Sequence, residues 1–115
     1  MYNPGTADEW KMIVRCAAKA MWDGVPFDGP TAASFMFIFA RPKNHFRSNG
    51  KLRDDAPTWH RGKPDRDNLD KGVLDCLTNA GILSDDSIVC SGVISKRYAK
   101  DNELPGVQAT IYSLT

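Results

Sequence analysis

The spacing of apolar positions divides the chain into a few elements. Trp10, Ile13, Val14, Ala17, Ala18 and Met21 recur every three or four residues and predict an amphipathic helix. Thr6 and Glu9 ahead of it form a capping box, and Lys11, Arg15 and Lys19 make a basic row on another face. Asp23-Gly24, Pro26 and Asp28-Gly29-Pro30 then turn the chain. Thr31 to Ala40 is apolar on both alternating faces, the pattern of a buried central strand. From Asp67 the helical period returns through Leu69, Val73, Cys76, Leu77 and Ala80, with Asp67 as the expected N-cap and Gly81 just past the end. A strand is expected from Ile88 to about Tyr98, a polar turn over 100–106 and a last strand from Val107 to Leu114, the two strands pairing as a hairpin. There is no internal repeat.

Between the central strand and the second helix lies a connection, residues 41–64, too long for an ordinary loop. It carries Arg41, Lys43, Arg47, Lys51, Arg53, Arg61 and Lys63 against Asp54 and Asp55, so it holds seven of the fifteen Lys and Arg. Its charge is +5, which leaves −4 for the rest of a chain whose net charge is +1. Basic residues interleaved with Phe46 and Trp59 predict a segment that orders on nucleic acid, and these seven are the candidate DNA contacts. His45 and His60 are fifteen apart with no cysteine nearby, which argues against zinc and for exposed or phosphate-contacting histidines.

A length of 115 residues suits one domain, 1–115, able to bury a core without staples. Cys16, Cys76 and Cys90 are odd in number, lack C-x-x-C spacing and sit in apolar patterns, so reduced thiols are expected. No signal-peptide pattern opens the chain, and no apolar run reaches the roughly 18 residues of a membrane span. The expectation is a soluble, cytoplasmic protein.

The chemistry concentrates around the second helix. Asp65 and Asp67 face one way if the backbone stays extended, and the turn before the next strand brings Asp86, or else Asp85, as a third oxygen. Such carboxylates suit Mg²⁺, which takes oxygen ligands and fills the rest of its shell with water and phosphate. Lys71, one turn beyond Asp67, places a positive charge where a scissile phosphate would sit, and Asp67, Lys71 and Asp75 share one helix face. From the residues alone, an exposed helix start with a surface ion pair and an ordinary turn remains an open alternative.

The run Lys63-Pro64-Asp65-Arg66-Asp67-Asn68-Leu69-Asp70-Lys71, followed by Leu74-Asp75-Cys76-Leu77-Thr78, Ala80-Gly81 and Asp85-Asp86, resembles the signature of RusA-type Holliday-junction resolvases. These are crossover junction endodeoxyribonucleases of bacteria and their phages. The resemblance is specific over residues 63 to about 90; Tyr2-Asn3-Pro4, the basic loop and the last strands match only in layout. It implies Mg²⁺, or Mn²⁺ in its place, on Asp65, Asp67 and Asp86, with Lys71 essential for cleavage and Asn68, Asp75 and Asp85 supporting these residues. It also implies a small α+β fold, a mixed or antiparallel sheet of three to four strands packed with two main helices, in an intertwined homodimer. Two active sites related by a two-fold axis suit paired, symmetric nicks in a four-way DNA junction. The family's additional N-terminal strand is expected to be missing here. A non-cleaving branched-DNA-binding protein of the same fold, and a structural protein whose acids are merely solvated, are the rival readings.

Overall fold

The computed structural model describes residues 24–115. The predicted first helix, its capping box, Cys16 and the Tyr2-Asn3-Pro4 element lie outside these residues. Strand β1 (Thr31–Phe39) behaves as its sequence demands: both of its faces are largely buried, with Ala32 and Phe37 fully enclosed. A strand so apolar must also have both edges paired. Strand β4 (Gly106–Ser113) runs antiparallel to it, from Thr31 opposite Ser113 to Ile38 opposite Gly106. This leaves the other edge to two parallel strands in succession, β2 (Val89–Ser91) opposite Thr31 and Ala32, and β3 (Ile94–Tyr98) opposite Phe35–Phe39.

The sheet is therefore mixed, and two expectations are corrected. The strand expected from Ile88 to Tyr98 is two strands, interrupted at Gly92-Val93. Gly92 has φ 151°, and a Cβ there would overlap the Ala33 carbonyl. The gap is bridged by Val93, whose amide donates to Ser34 Oγ (3.0 Å) and whose carbonyl accepts from the Phe35 amide (2.9 Å). The expected hairpin does not form either. Strands β3 and β4 each pair with β1, and residues 99–105 carry the chain from one edge to the other. Two open edges on a strand buried on both faces outweigh the local preference for pairing sequence neighbours.

Helix α1 (Arg66–Asn79) covers the sheet, packing Leu69, Val73, Cys76 and Leu77 against Ala33, Phe35, Phe37 and Phe39. It is the one α-helix among the described residues. Its end is a Schellman motif: the Ile82 amide donates to Leu77 O (3.0 Å), the Gly81 amide to Thr78 O (3.1 Å), and Gly81 takes φ 81°. Ile82 and Leu77 complete the motif by packing in the same core. Cys76 is buried and Cys90 exposed, with no disulfide among the described residues; the exposure of Cys90 departs from the apolar setting expected for it. Among the described residues no helix is long and apolar enough to cross a membrane.

Gly92→Ala should destabilise the fold by about 1–3 kcal/mol or more, since backbone rather than a movable side chain blocks the methyl. Gly29→Ala, with open space around the added carbon, should change stability by less than about 0.5 kcal/mol. Urea unfolding of the two variants beside the wild type measures both.

Candidate active site

The segment that leads into α1 is fixed from a distance. Lys96 lies on β3 between Ile94 and Tyr98, on the face that packs toward the core, with Phe37 as its register partner. Its Nζ donates to Gly62 O (2.6 Å) and Pro64 O (2.9 Å), and burial pushes its pKa down against the opposing pull of Asp65. The Lys63-Pro64 peptide bond is cis.

Asp65 follows with φ −82° and ψ 166°, and its carboxylate caps the helix by accepting from the Asn68 amide (3.2 Å). That hydrogen bond holds Asp65 below the usual carboxylate range, with the charges of Lys63 and Lys96 adding to it. Lys63 Nζ lies 3.5 Å from the second carboxylate oxygen. The cap is thus Asp65 and not Asp67, and the extended stretch expected to carry both aspartates ends at Asp65. Asp67 lies in the first helical turn, solvent-exposed, where negative charge is favourable. Asp67, Lys71 and Asp75 are all exposed along one face, as their spacing predicts. Asp70 has its pKa raised, first by burial and then by the neighbouring charge of Asp67.

The other pair of acids sits in a 3-10 turn, Asp86–Ile88, that lies against α1. Asp85 caps it, accepting from the Ser87 amide (3.0 Å), and its hydrogen bonds to Ser87 lower its pKa. Asp86 is exposed. Asp65, Asp67, Asp85 and Asp86 offer a hard divalent ion the oxygen donors it prefers, and two of them are held toward the ionised form. The donor chemistry therefore fits. The side chains themselves are not drawn together: among the described residues no three His, Cys, Asp or Glu are grouped closely enough to hold a metal.

The basic connection is folded, in contrast to a segment that orders only on nucleic acid. Phe46 pairs with Leu52, the Arg47 amide donates to Lys51 O (2.7 Å), and Gly50 at φ 85° makes the tight turn between them. Arg47, Lys51 and Arg53 project around this tip, exposed, with Arg47 paired to Asp54 (2.9 Å). Lys43, Arg61 and Lys63 are also exposed. Arg41 has a different role. Its guanidinium donates to Ala99 O (2.8 Å) and Pro57 O (2.7 Å), contacts His45 Nδ1 (3.2 Å) and lies over Tyr98, tying the connection to the end of the sheet. The histidines share that duty and are half-buried, where exposed or phosphate-contacting side chains were expected. His60 stacks on Phe39 with ring centroids 3.8 Å apart, and His45 meets Tyr98 edge-on at 4.7 Å. Burial lowers both of their pKa values, with the charge of Arg41 adding to this at His45 and that of Lys96 at His60.

Two features escaped the sequence reading. A lysine at an inward position between Ile94 and Tyr98 was the available sign of Lys96, whose carbonyl partners lie more than 30 residues away. The pair of Arg97 and Glu103, bonded at 2.6 and 2.9 Å across the turn between β3 and β4, gave no local sign beyond opposite charge.

Acids at and near a helix start, with a folded basic segment leading into them, set oxygen donors beside a row of cations. A family model described as endodeoxyribonuclease RusA matches residues 1–112, and the chain belongs to that family. Its members are Holliday-junction resolving nucleases, generally dependent on a divalent metal. A search of curated proteins returned no match.

The hydrogen bond from Arg97 holds Glu103 down to about 2. Its stabilising contribution is therefore complete above the ordinary carboxylate value and is lost as pH falls toward about 2. Glu103→Gln should lower stability by about 1–3 kcal/mol at pH 7, and the deficit should shrink progressively in acid. Melting temperatures of variant and wild type across pH 2–7 check this.

Proposed function

We propose that this chain is a Mg²⁺-dependent endodeoxyribonuclease that resolves four-way DNA junctions by paired symmetric nicks, acting as a homodimer in the cytoplasm of a bacterium or a phage-infected cell. The observation that carries the reading is the start of α1, where Asp65, Asp67 and Lys71 stand within two helical turns on exposed, ionisable positions. Family membership supplies the substrate class.

In this reading Asp65, Asp67 and Asp86 hold the ion, and Mn²⁺ replaces Mg²⁺ without new ligands. When bound, the metal neutralises charge at the phosphodiester and activates water. The Asn68 amide holds the Asp65 cap, Asp85 caps the turn, and Asp75 continues the exposed face of Asp67 and Lys71. Lys71 offsets the negative charge that grows on the phosphate during hydrolysis. Lys43, Arg47, Lys51, Arg53, Arg61 and Lys63 hold the DNA backbone, and Arg41 keeps their segment against the sheet. The exposed Arg47–Asp54 pair is worth little in water, so Arg47 exchanges its partner for a phosphate at small cost.

A non-cleaving branched-DNA-binding protein draws support from the engagement of Asp65 as a helix cap. The carboxylate variants separate the two readings. Asp67→Asn removes a ligand charge with almost no change of shape. It should abolish junction cleavage while leaving junction binding in EDTA within about two-fold. Full cleavage by this variant sinks the metal assignment, and absence of cleavage by the wild type favours the binding protein. Replacing Arg47, Lys51 and Arg53 by Gln should reduce the slope of log affinity against log salt by roughly one unit per lost phosphate contact. An unchanged slope removes the tip from the DNA interface.

A further inference from the structure

Residues 58–60 lie along β3 as a short added strand. Trp59 bridges Arg97 in antiparallel sense, the His60 amide donates to Lys96 O (3.2 Å), and the Tyr98 amide donates to Thr58 O (2.9 Å). The backbone of Trp59 is therefore paired along the sheet edge, yet the residue is left 61% exposed. An exposed indole on an ordered backbone offers a broad flat face on which another ring can stack. Beside it opens a cleft of about 250 Å³, lined by Trp59, His60, Arg66, Ile94, Ser95 and Lys96. It lies below the roughly 300–1,000 Å³ of sites that enclose a drug-sized ligand, and suits a single flat ring.

The walls are chemically specific. Arg66 is the residue next to the Asp65 cap, so the cleft adjoins the start of α1. Its guanidinium reaches Ile94 O only at 3.4 Å, leaving its remaining donors available to an anion. Lys96 adds a second positive charge, anchored by the Gly62 and Pro64 carbonyls. His60 Nδ1 is buried in the wall without a hydrogen-bond partner among the described residues. An apolar protein segment gains nothing from the two cations, whereas a nucleotide uses both parts of the site. Its base stacks on an aromatic face and its phosphate meets arginine.

We propose that the cleft between Trp59 and Arg66 receives one unpaired nucleobase of the DNA strand that passes the acidic helix start, with Trp59 as the stacking platform and Arg66 on the adjoining phosphate. This rests on the reading of the chain as a branched-DNA-binding nuclease. Four-way junctions suit the site because bases at a branch point are cheaper to unstack than bases within a duplex. Trp59 then contributes to which position along the strand is cut.

The test measures binding, in EDTA, of a four-way junction and of a short single-stranded oligonucleotide to the wild type, Trp59→Ala and Trp59→Phe. Stacking predicts that Trp59→Ala loses on the order of ten-fold in affinity for both DNAs and that Trp59→Phe recovers most of it. The salt slope should stay unchanged in both variants, because a stacked ring displaces no counterion. Arg66→Gln should lower the slope instead. In Mg²⁺, Trp59→Ala should spread its cuts over more positions than the wild type. Wild-type affinity and cut positions in Trp59→Ala overturn the proposal. A loss of affinity matched by a change of oligomeric size in sedimentation also overturns it, and makes Trp59 a protein contact. If the wild type binds neither DNA, the nuclease reading itself has failed, which is a separate result.

Discussion

The two-sided burial of β1 is the constraint on which the rest of the described structure depends. Nine residues with apolar side chains on both faces and hydrogen-bonding groups on both edges have one stable place, the middle of a covered sheet. Satisfying both edges draws β3 to one side and β4 to the other. Burying the Phe35–Phe37–Phe39 face draws α1 across the sheet. The register of β1 against β3 then sets Lys96 opposite Phe37, from where its amine holds the Gly62 and Pro64 carbonyls. The helix start and its aspartate cap follow directly. The candidate site thus takes its position from the core through one lysine.

The same end of the sheet organises the basic segment. Arg41, His45 and His60 gather around Tyr98 and Phe39, so the connection is pinned near both of its ends while its tip projects Arg47, Lys51 and Arg53 into solvent. Pre-ordering of this kind reduces the conformational entropy lost when the cations meet a phosphate backbone. A +5 segment leading straight into a run of aspartates places groups that attract a polyanion beside groups that attract cations.

What could be read from the sequence was local. The two-sided apolar run of β1, the stripe of α1 and Gly81 at its end all express short-range periodicity or a single backbone requirement, and all reappear in the structure. The helix start was misplaced because Asp65 and Asp67 both satisfy the chemistry of an N-cap, and the choice between them lies with Lys96, far along the chain. The false hairpin has the same origin, since whether β3 and β4 pair with each other depends on edges that β1 leaves open. The four candidate catalytic residues were legible as a motif. Their spacing does not bring them together in the described structure, where Asp65 serves as a cap and Asp86 lies in a separate turn.

In the proposed function these acids and the basic segment act together on branched DNA. Its most direct test is incubation of an end-labelled four-way junction and a linear duplex of the same sequence with the protein, in Mg²⁺ and in EDTA. The account predicts paired nicks at symmetric positions in the junction, in Mg²⁺ only, with the duplex intact. Cutting that persists in EDTA, or equal cutting of the linear duplex, would contradict it.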